Sequence, residues 1–120
     1  MKSNTLLTDN PLYIVDVGAR DGMHSRWNKF TSSYKGILFE PDPEEYKLLK
    51  SKCGKNLIVL NSALSDSAGE LDLHLCQKPG DSSVYWPNID FLSKFPEGER
   101  FDVVKNIKVQ ADTLNNQLKK

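Results

Sequence analysis

The hydrophobic positions in the first half of the chain form three short apolar runs, Leu12–Val17, Ile37–Phe39 and Leu57–Leu60. Glycine, proline or polar residues bound each run, and none of the runs alternates strictly. Such runs are typical of strands that are buried on both faces of a parallel sheet. Helical patterns separate the runs, so the predicted order is strand, helix, strand, helix, strand. This order is the beginning of an α/β sheet with right-handed connections.

The two segments between these runs carry different helix signals. In the first, apolar residues recur at helical spacing, at Met23, Trp27 and Phe30, which predicts a short helix. In the second, Asp42 suits the N-cap, Pro43 the first helical position, and Glu45 the carboxylate of a capping box. Gly54 is a natural stop for this second helix.

The pattern changes after the third run. Leucines at positions 71, 73 and 75 alternate with Asp72 and His74, which predicts a strand with one solvated face and an exposed His74. Val103–Val109 is predicted as a further strand, and Thr113–Leu118 as a closing helical turn. The second half therefore resembles a β-hairpin insertion beside the parallel sheet, after its third strand.

Composition narrows the class of protein. The 120 residues fit one domain, and 16 basic residues balance 16 acidic ones without a clustered basic face, so nucleic acid is not an expected partner. The sequence has no signal peptide and no apolar stretch long enough to span a membrane, which predicts a cytoplasmic protein without a membrane partner. Cys53 and Cys76 lack a CxxC spacing, and His24 and His74 lack metal-ligand spacing, so no metal is expected.

Candidate chemistry lies where the first two strands end. Asp16 lies near the end of the first run and Gly18 directly follows it, while Glu40 follows the second run. In α/β sheets, nucleoside ligands bind at the carboxyl ends of parallel strands, where glycine lets the backbone come close. Glu40 follows Gly18 by roughly 20 residues, the spacing of an acid that accepts hydrogen bonds from ribose hydroxyls. The alternative reading of Glu40 is a strand-end carboxylate that caps the next helix.

The glycine spacing distinguishes between nucleoside cofactors. Gly18 and Gly22 are separated by three residues, and Arg20 stands where a dinucleotide fingerprint has its second glycine. S-adenosylmethionine has no pyrophosphate; its ammonium and carboxylate suit an acid such as Asp16 beside open backbone amides. The pattern therefore favours S-adenosylmethionine over NAD. Arg20 and Asp21 themselves are predicted to be solvated loop residues.

Five segments together resemble one family of enzymes. They are Val15–Gly22, Phe39–Pro43, Asn61–Asp66 with Gly69, Asp81–Ser83 and Thr113–Leu114. In this order they are similar to the D-V-G-A-N-x-G, F-E-P-x-P, A-L-S-D, paired-serine and T-L-D segments of the FkbM-family S-adenosylmethionine-dependent methyltransferases. The resemblance implies a partial Rossmann-like fold of the class I methyltransferase type. It also implies methyl transfer to a hydroxyl of a sugar, polyketide or similar small acceptor.

The resemblance also implies a cofactor site. Residues at the strand ends would hold the methionine end, Glu40 the ribose, and residues near the third strand the adenine. The full expected set of cofactor-binding residues is Asp16, Gly18, Ala19, Gly22, Glu40, Pro41 and Ala63. No residue of the chain is assigned as catalytic.

The sequence departs from the family pattern in three ways. Arg20 replaces the usual asparagine, Asn115 replaces the aspartate after Thr-Leu, and the chain ends at Lys120, before the family's fourth core strand. Residues 1–120 are therefore expected to be the N-terminal, cofactor-binding portion of a methyltransferase domain. The alternative is a non-catalytic binding or interaction module, whose open sheet edge favours self-association.

Overall fold

The computed structural model describes residues 9–30 and 33–119. By their internal packing, these residues divide into two compact units, one extending to Leu64 and the other beginning at Ser65. The first unit contains a three-stranded parallel sheet, and the second contains an antiparallel strand pair. The protein is thus of the α/β class, as the sequence predicts.

The parallel sheet of the first unit consists of β1 (Leu12–Val17), β2 (Tyr34–Phe39) and β3 (Leu57–Leu60). The order is β1-β2-β3, with β2 in the middle. Val17 of β1 pairs with Phe39 of β2, which pairs with Leu60 of β3. The three strands therefore end at the same edge of the sheet. A two-residue strand, β4 (Ala63–Leu64), ends the unit.

The connections between these strands differ in kind. Between β2 and β3, helix α1 (Pro43–Lys52) has Asp42 as its N-cap and Pro43 in its first turn, as predicted. Between β1 and β2, the predicted helix is a 3-10 helix, Ser25–Phe30, and residues 31 and 32 lie outside the described residues. Among the described residues of this unit, the ten-residue helix α1 is therefore the only α-helix that connects two strands.

The core of the first unit lies between the sheet and α1. Ala19 from the loop after β1, Leu38 from β2 and Leu49 from α1 are buried together. Partly buried apolar residues surround them, namely Met23, Cys53, Leu57 and Val59. This core fixes the loop after β1 against the helix, because Ala19 belongs to that loop.

In the second unit, β5 (Gly69–Cys76) pairs antiparallel with β6 (Val103–Asp112). Between them lie two 3-10 turns, Pro79–Asp81 and Gly98–Phe101, and the four-residue helix α2 (Ile89–Leu92). Helix α3 (Leu114–Leu118) follows β6, with Thr113 as its N-cap. The predicted hairpin and closing helical turn are present. Within the described residues, no helix has the length and apolarity needed to cross a membrane.

Candidate functional site

The loop after β1 is attached to the end of β2. The backbone N–H groups of Gly18 and Ala19 both donate to the carbonyl oxygen of Phe39, each at 2.9 Å. Because Glu40 follows Phe39, these bonds bring the loop next to Glu40. Parallel pairing in register explains the arrangement, since both strands reach the same edge together. The predicted juxtaposition of the two strand ends is therefore present in the structure.

Three residues of this loop have left-handed backbone conformations. The φ angles of Gly18, Asp21 and Gly22 are +72°, +68° and +84°. At Gly18 an added Cβ would meet no atom within 4 Å, so open space lies over the backbone at this point. Glycine there serves the turn and leaves the backbone accessible.

Glu40 is the most buried carboxylate of the site, with 4% of its surface exposed. Its Oε1 accepts the backbone N–H of Asp42 at 2.9 Å. Its Oε2 accepts no hydrogen bond from a described residue. Because every fully buried side-chain oxygen in the described chain has a hydrogen-bond partner, Oε2 must reach solvent. The helix-capping reading of Glu40 is therefore correct for one oxygen, while the other oxygen is free for a ligand.

Asp16 is the second carboxylate of the site. Its side chain is half-buried near the end of β1, and it accepts no hydrogen bond from the described residues. Burial raises the pKa of Asp16 above its ordinary value. Burial also raises the pKa of Glu40, although the Asp42 N–H and the positive charge of Arg20 act in the opposite direction. Both carboxylates thus lie where their negative charge is poorly solvated, and a hydrogen-bond donor would stabilise it.

Arg20 corrects an expectation from the sequence. The sequence predicts that Arg20 is a solvated loop residue, but its side chain is only 23% exposed. Its guanidinium contacts the carboxylates of Asp42 at 2.8 Å and Glu45 at 3.3 Å. Glu45 also accepts the backbone N–H of Asp21 at 3.0 Å. Glu45 therefore binds the loop after β1 and does not close the predicted capping box. In that capping box Glu45 would accept the backbone N–H of Asp42, but Glu40 accepts this N–H instead.

Replacing Arg20 with methionine is expected to lower the free energy of unfolding by about 2 kcal/mol. The substitution leaves two largely buried carboxylates, Asp42 and Glu45, without their cation. Lys47→Met is the matched control, because the ion pair of Lys47 with Glu44 is exposed and contributes little. Urea unfolding of both variants measures the difference. Equal stability of the two variants would contradict the role given to Arg20.

The remaining predicted residues have separate positions. Pro41 is half-buried and follows Glu40 directly, and Ala63 is buried in β4. Asn61, for which the sequence pattern predicts no individual role, donates from Nδ2 to the carbonyl oxygens of Glu40 and Pro41 at 2.9 and 3.1 Å. It therefore fixes the turn that carries Glu40. The one feature of the sequence that points to this role of Asn61 is its position as an amide residue directly after the third apolar run.

Comparisons with protein-family models, curated proteins and solved structures find no match to this chain. Among residues 9–30 and 33–119, no group of three or more histidine, cysteine or acidic side chains is placed to hold a metal ion. The arrangement at the ends of β1 and β2 is therefore described by its own chemistry. It offers two poorly solvated carboxylates, an accessible glycine backbone and a loop held by Arg20.

Proposed function

We propose that the ends of β1 and β2 bind S-adenosylmethionine, and that the protein takes part in methyl transfer to a hydroxyl of a small acceptor. One observation carries the proposal: next to the Gly18 loop, Asp16 and Glu40 each keep carboxylate oxygens that accept no hydrogen bond from the described residues. The resemblance of the sequence motifs to FkbM-type methyltransferases supports the same proposal.

Each part of this ligand has a chemical counterpart among the residues present. Glu40 accepts hydrogen bonds from ribose hydroxyls through Oε2 and the remaining lone pair of Oε1. Asp16 balances the charge of the methionine ammonium. Bound S-adenosylmethionine supplies a sulfonium-linked methyl group that an acceptor oxygen displaces in line. The chain's own residues bind and orient, and orientation is a large part of the rate of such a reaction.

The same geometry disfavours a dinucleotide. A pyrophosphate carries negative charge and needs donors or cations at the loop. Here Asp16 lies near the end of β1, and the guanidinium of Arg20 is already paired with Asp42 and Glu45. Pyrophosphate oxygens would meet repulsion from Asp16 instead of a free cation, whereas an acid at the position of Glu40 suits the ribose of either ligand. The charges at the loop therefore favour S-adenosylmethionine over NAD independently of the glycine spacing.

A second candidate function is a non-catalytic interaction module, and exposed apolar side chains favour it. Val15, Ile37 and Ile58 lie in one row across the sheet, and Ile58 is 57% exposed. Tyr13 and Val17 extend the same face along β1 and are also exposed. Apolar sheet faces of this kind are typical of contact surfaces. Sedimentation velocity distinguishes the two, because a stable monomer at high concentration disfavours self-association.

Binding of S-adenosylhomocysteine is expected to weaken as the pH falls from about 8 to about 4, a range that includes the ordinary pKa of a glutamate and values raised above it. Glu40 must be ionised to accept from both hydroxyls, and its pKa is raised above the ordinary 4.5 by burial. Affinity is therefore full above the raised pKa and is lost as the pH falls through it. A raised pKa also means that protonation of Glu40 stabilises the folded chain, so this carboxylate does not itself promote acid unfolding.

Calorimetric titrations across this range test the proposal, with circular dichroism at each pH to confirm the fold. The Glu40→Gln variant is the control, because it removes the titrating group and is expected to bind weakly with a shallower pH dependence. An affinity that is unchanged between the two ends of the range would contradict the role of Glu40. No binding at any pH would contradict the cofactor assignment itself.

A further inference from the structure

The second unit contains a cleft that the proposed cofactor site does not use. Its volume is about 480 Å³, within the size range of small-molecule sites. All of its lining residues belong to the second unit, from Ser65 onward. Those that matter for its chemistry are Asp72, His74, Tyr85, Trp86 and Asn106.

His74 presents a hydrogen-bond acceptor to this cleft. It pairs across the strands with Asn106, and its Nδ1 lies 2.6 Å from the Asn106 Oδ1. An amide oxygen accepts, so Nδ1 carries the proton and Nε2 carries a lone pair. Nε2 forms no hydrogen bond with a described residue. Every fully buried side-chain nitrogen of the described chain has a hydrogen-bond partner, so Nε2 is not fully buried. The lone pair of Nε2 is thus available to a donor in the cleft.

Trp86 forms the apolar wall of the cleft. Its ring stacks on the imidazole of His74, with centroids 3.9 Å apart and an angle of 26° between the planes. The stack buries His74 to 4% exposure, contrary to the exposed position that the alternating pattern predicts, while Trp86 itself remains 67% exposed. The neighbouring Tyr85 is 79% exposed. Two large aromatic side chains therefore face solvent beside polar groups, an arrangement typical of a ligand surface.

The electrostatics of the cleft favour a ligand without net charge. The carboxylate of Asp72 pairs with Lys108 at 2.6 Å, so its charge is balanced within the protein. The other polar groups are an imidazole, an amide and the hydroxyls of Ser65 and Tyr85. These groups exchange hydrogen bonds with hydroxyls and provide no excess charge for a phosphate or an ammonium.

We infer that this cleft binds a neutral ring that carries hydroxyl groups. The ring packs against the exposed aromatic side chains of Trp86 and Tyr85 beside the His74–Trp86 stack, and one of its hydroxyls donates to Nε2 of His74. A sugar and a polyhydric phenol share this chemistry. The inference goes beyond the proposed function, because it uses no residue of the first unit and does not require S-adenosylmethionine.

The test is a calorimetric titration of the full chain with two probes, methyl β-glucoside for the sugar and catechol for the phenol. Saturable binding of either probe is expected, and the probe that binds identifies the class. Trp86→Ala is expected to weaken that binding roughly ten-fold, and His74→Phe, which keeps a ring but removes Nε2, to weaken it as well. Phe91→Ala is the control, because Phe91 is an exposed aromatic of the same unit outside the cleft.

Nuclear magnetic resonance of the wild-type chain provides a test that does not depend on the folding of a variant. The indole N–H signal of Trp86 is expected to shift on addition of the bound probe, while that of Trp27 stays unchanged. Absence of saturable binding by both probes, or binding that leaves the Trp86 signal and the Trp86→Ala affinity unchanged, would overturn the inference. Titration with S-adenosylhomocysteine reports separately on the first unit.

Discussion

Glu40→Ala is expected to weaken binding of S-adenosylhomocysteine roughly 100-fold. The variant loses a carboxylate that is 4% exposed and whose Oε2 accepts no hydrogen bond from the described residues. Hydrogen bonds from neutral hydroxyls to such a poorly solvated, charged acceptor are among the stronger ones in proteins. The matched control is Glu44→Ala, because Glu44 lies nearby at the start of α1 but is exposed, and its side chain pairs with Lys47 alone among the described residues.

The effect on the ligand must be separated from an effect on the fold. Glu40 also accepts the N–H of Asp42, so alanine leaves that donor without its partner. Glu40→Gln keeps an oxygen for Asp42, removes the charge and replaces the second acceptor oxygen by an amide NH2, which can only donate. If the ribose assignment is correct, both variants bind weakly while Glu40→Gln stays as stable as the wild type. Full affinity in Glu40→Gln would show that the carboxylate acts only as a cap.

Leu38→Ala is expected to lower the free energy of unfolding of the first unit by about 3 kcal/mol. Leu38 is fully buried in the central strand β2, where it contacts Ala19 and Leu49 in the core. Its truncation leaves a cavity beneath the loop that carries Gly18 and Gly22. The exposed Ile58→Ala on the opposite face is the control, with a much smaller expected loss.

Urea unfolding followed through Trp27 fluorescence, in a Trp86→Phe background, measures this loss in the first unit alone. Trp27 belongs to the 3-10 helix between β1 and β2, whereas Trp86 belongs to the second unit. A loss no greater than that of Ile58→Ala would mean that Leu38 is not part of a packed core. The loop after β1 would then lack the support that the proposed cofactor site requires.

Local signals predicted the framework of the first unit. β1 and β3 have the predicted bounds, because compact apolar runs between turn residues leave little choice of strand limits. α1 begins where predicted, because Asp42 and Pro43 satisfy the first turn in a way that few other residues do. The meeting of Gly18 and Glu40 then follows from parallel pairing in register.

Other features depend on contacts between residues distant in sequence. The ion pairs of Arg20 join positions more than 20 residues apart, and periodicity carries no signal for such pairs. His74 occupies a polar position in an alternating strand, yet Trp86 covers it. The segment after β1 has helical spacing, but the structure forms only a 3-10 helix there, in which positions three apart share a face. Apolar residues at 27 and 30 satisfy both patterns.

The most direct test of the proposed function is a calorimetric titration of the chain with S-adenosylhomocysteine, with NADH as the comparison ligand. We expect saturable binding of S-adenosylhomocysteine, loss of that binding in Glu40→Ala, and no binding of NADH. Binding of NADH alone, or of neither ligand to a chain that circular dichroism shows to be folded, would contradict a methyltransferase cofactor site at the ends of β1 and β2.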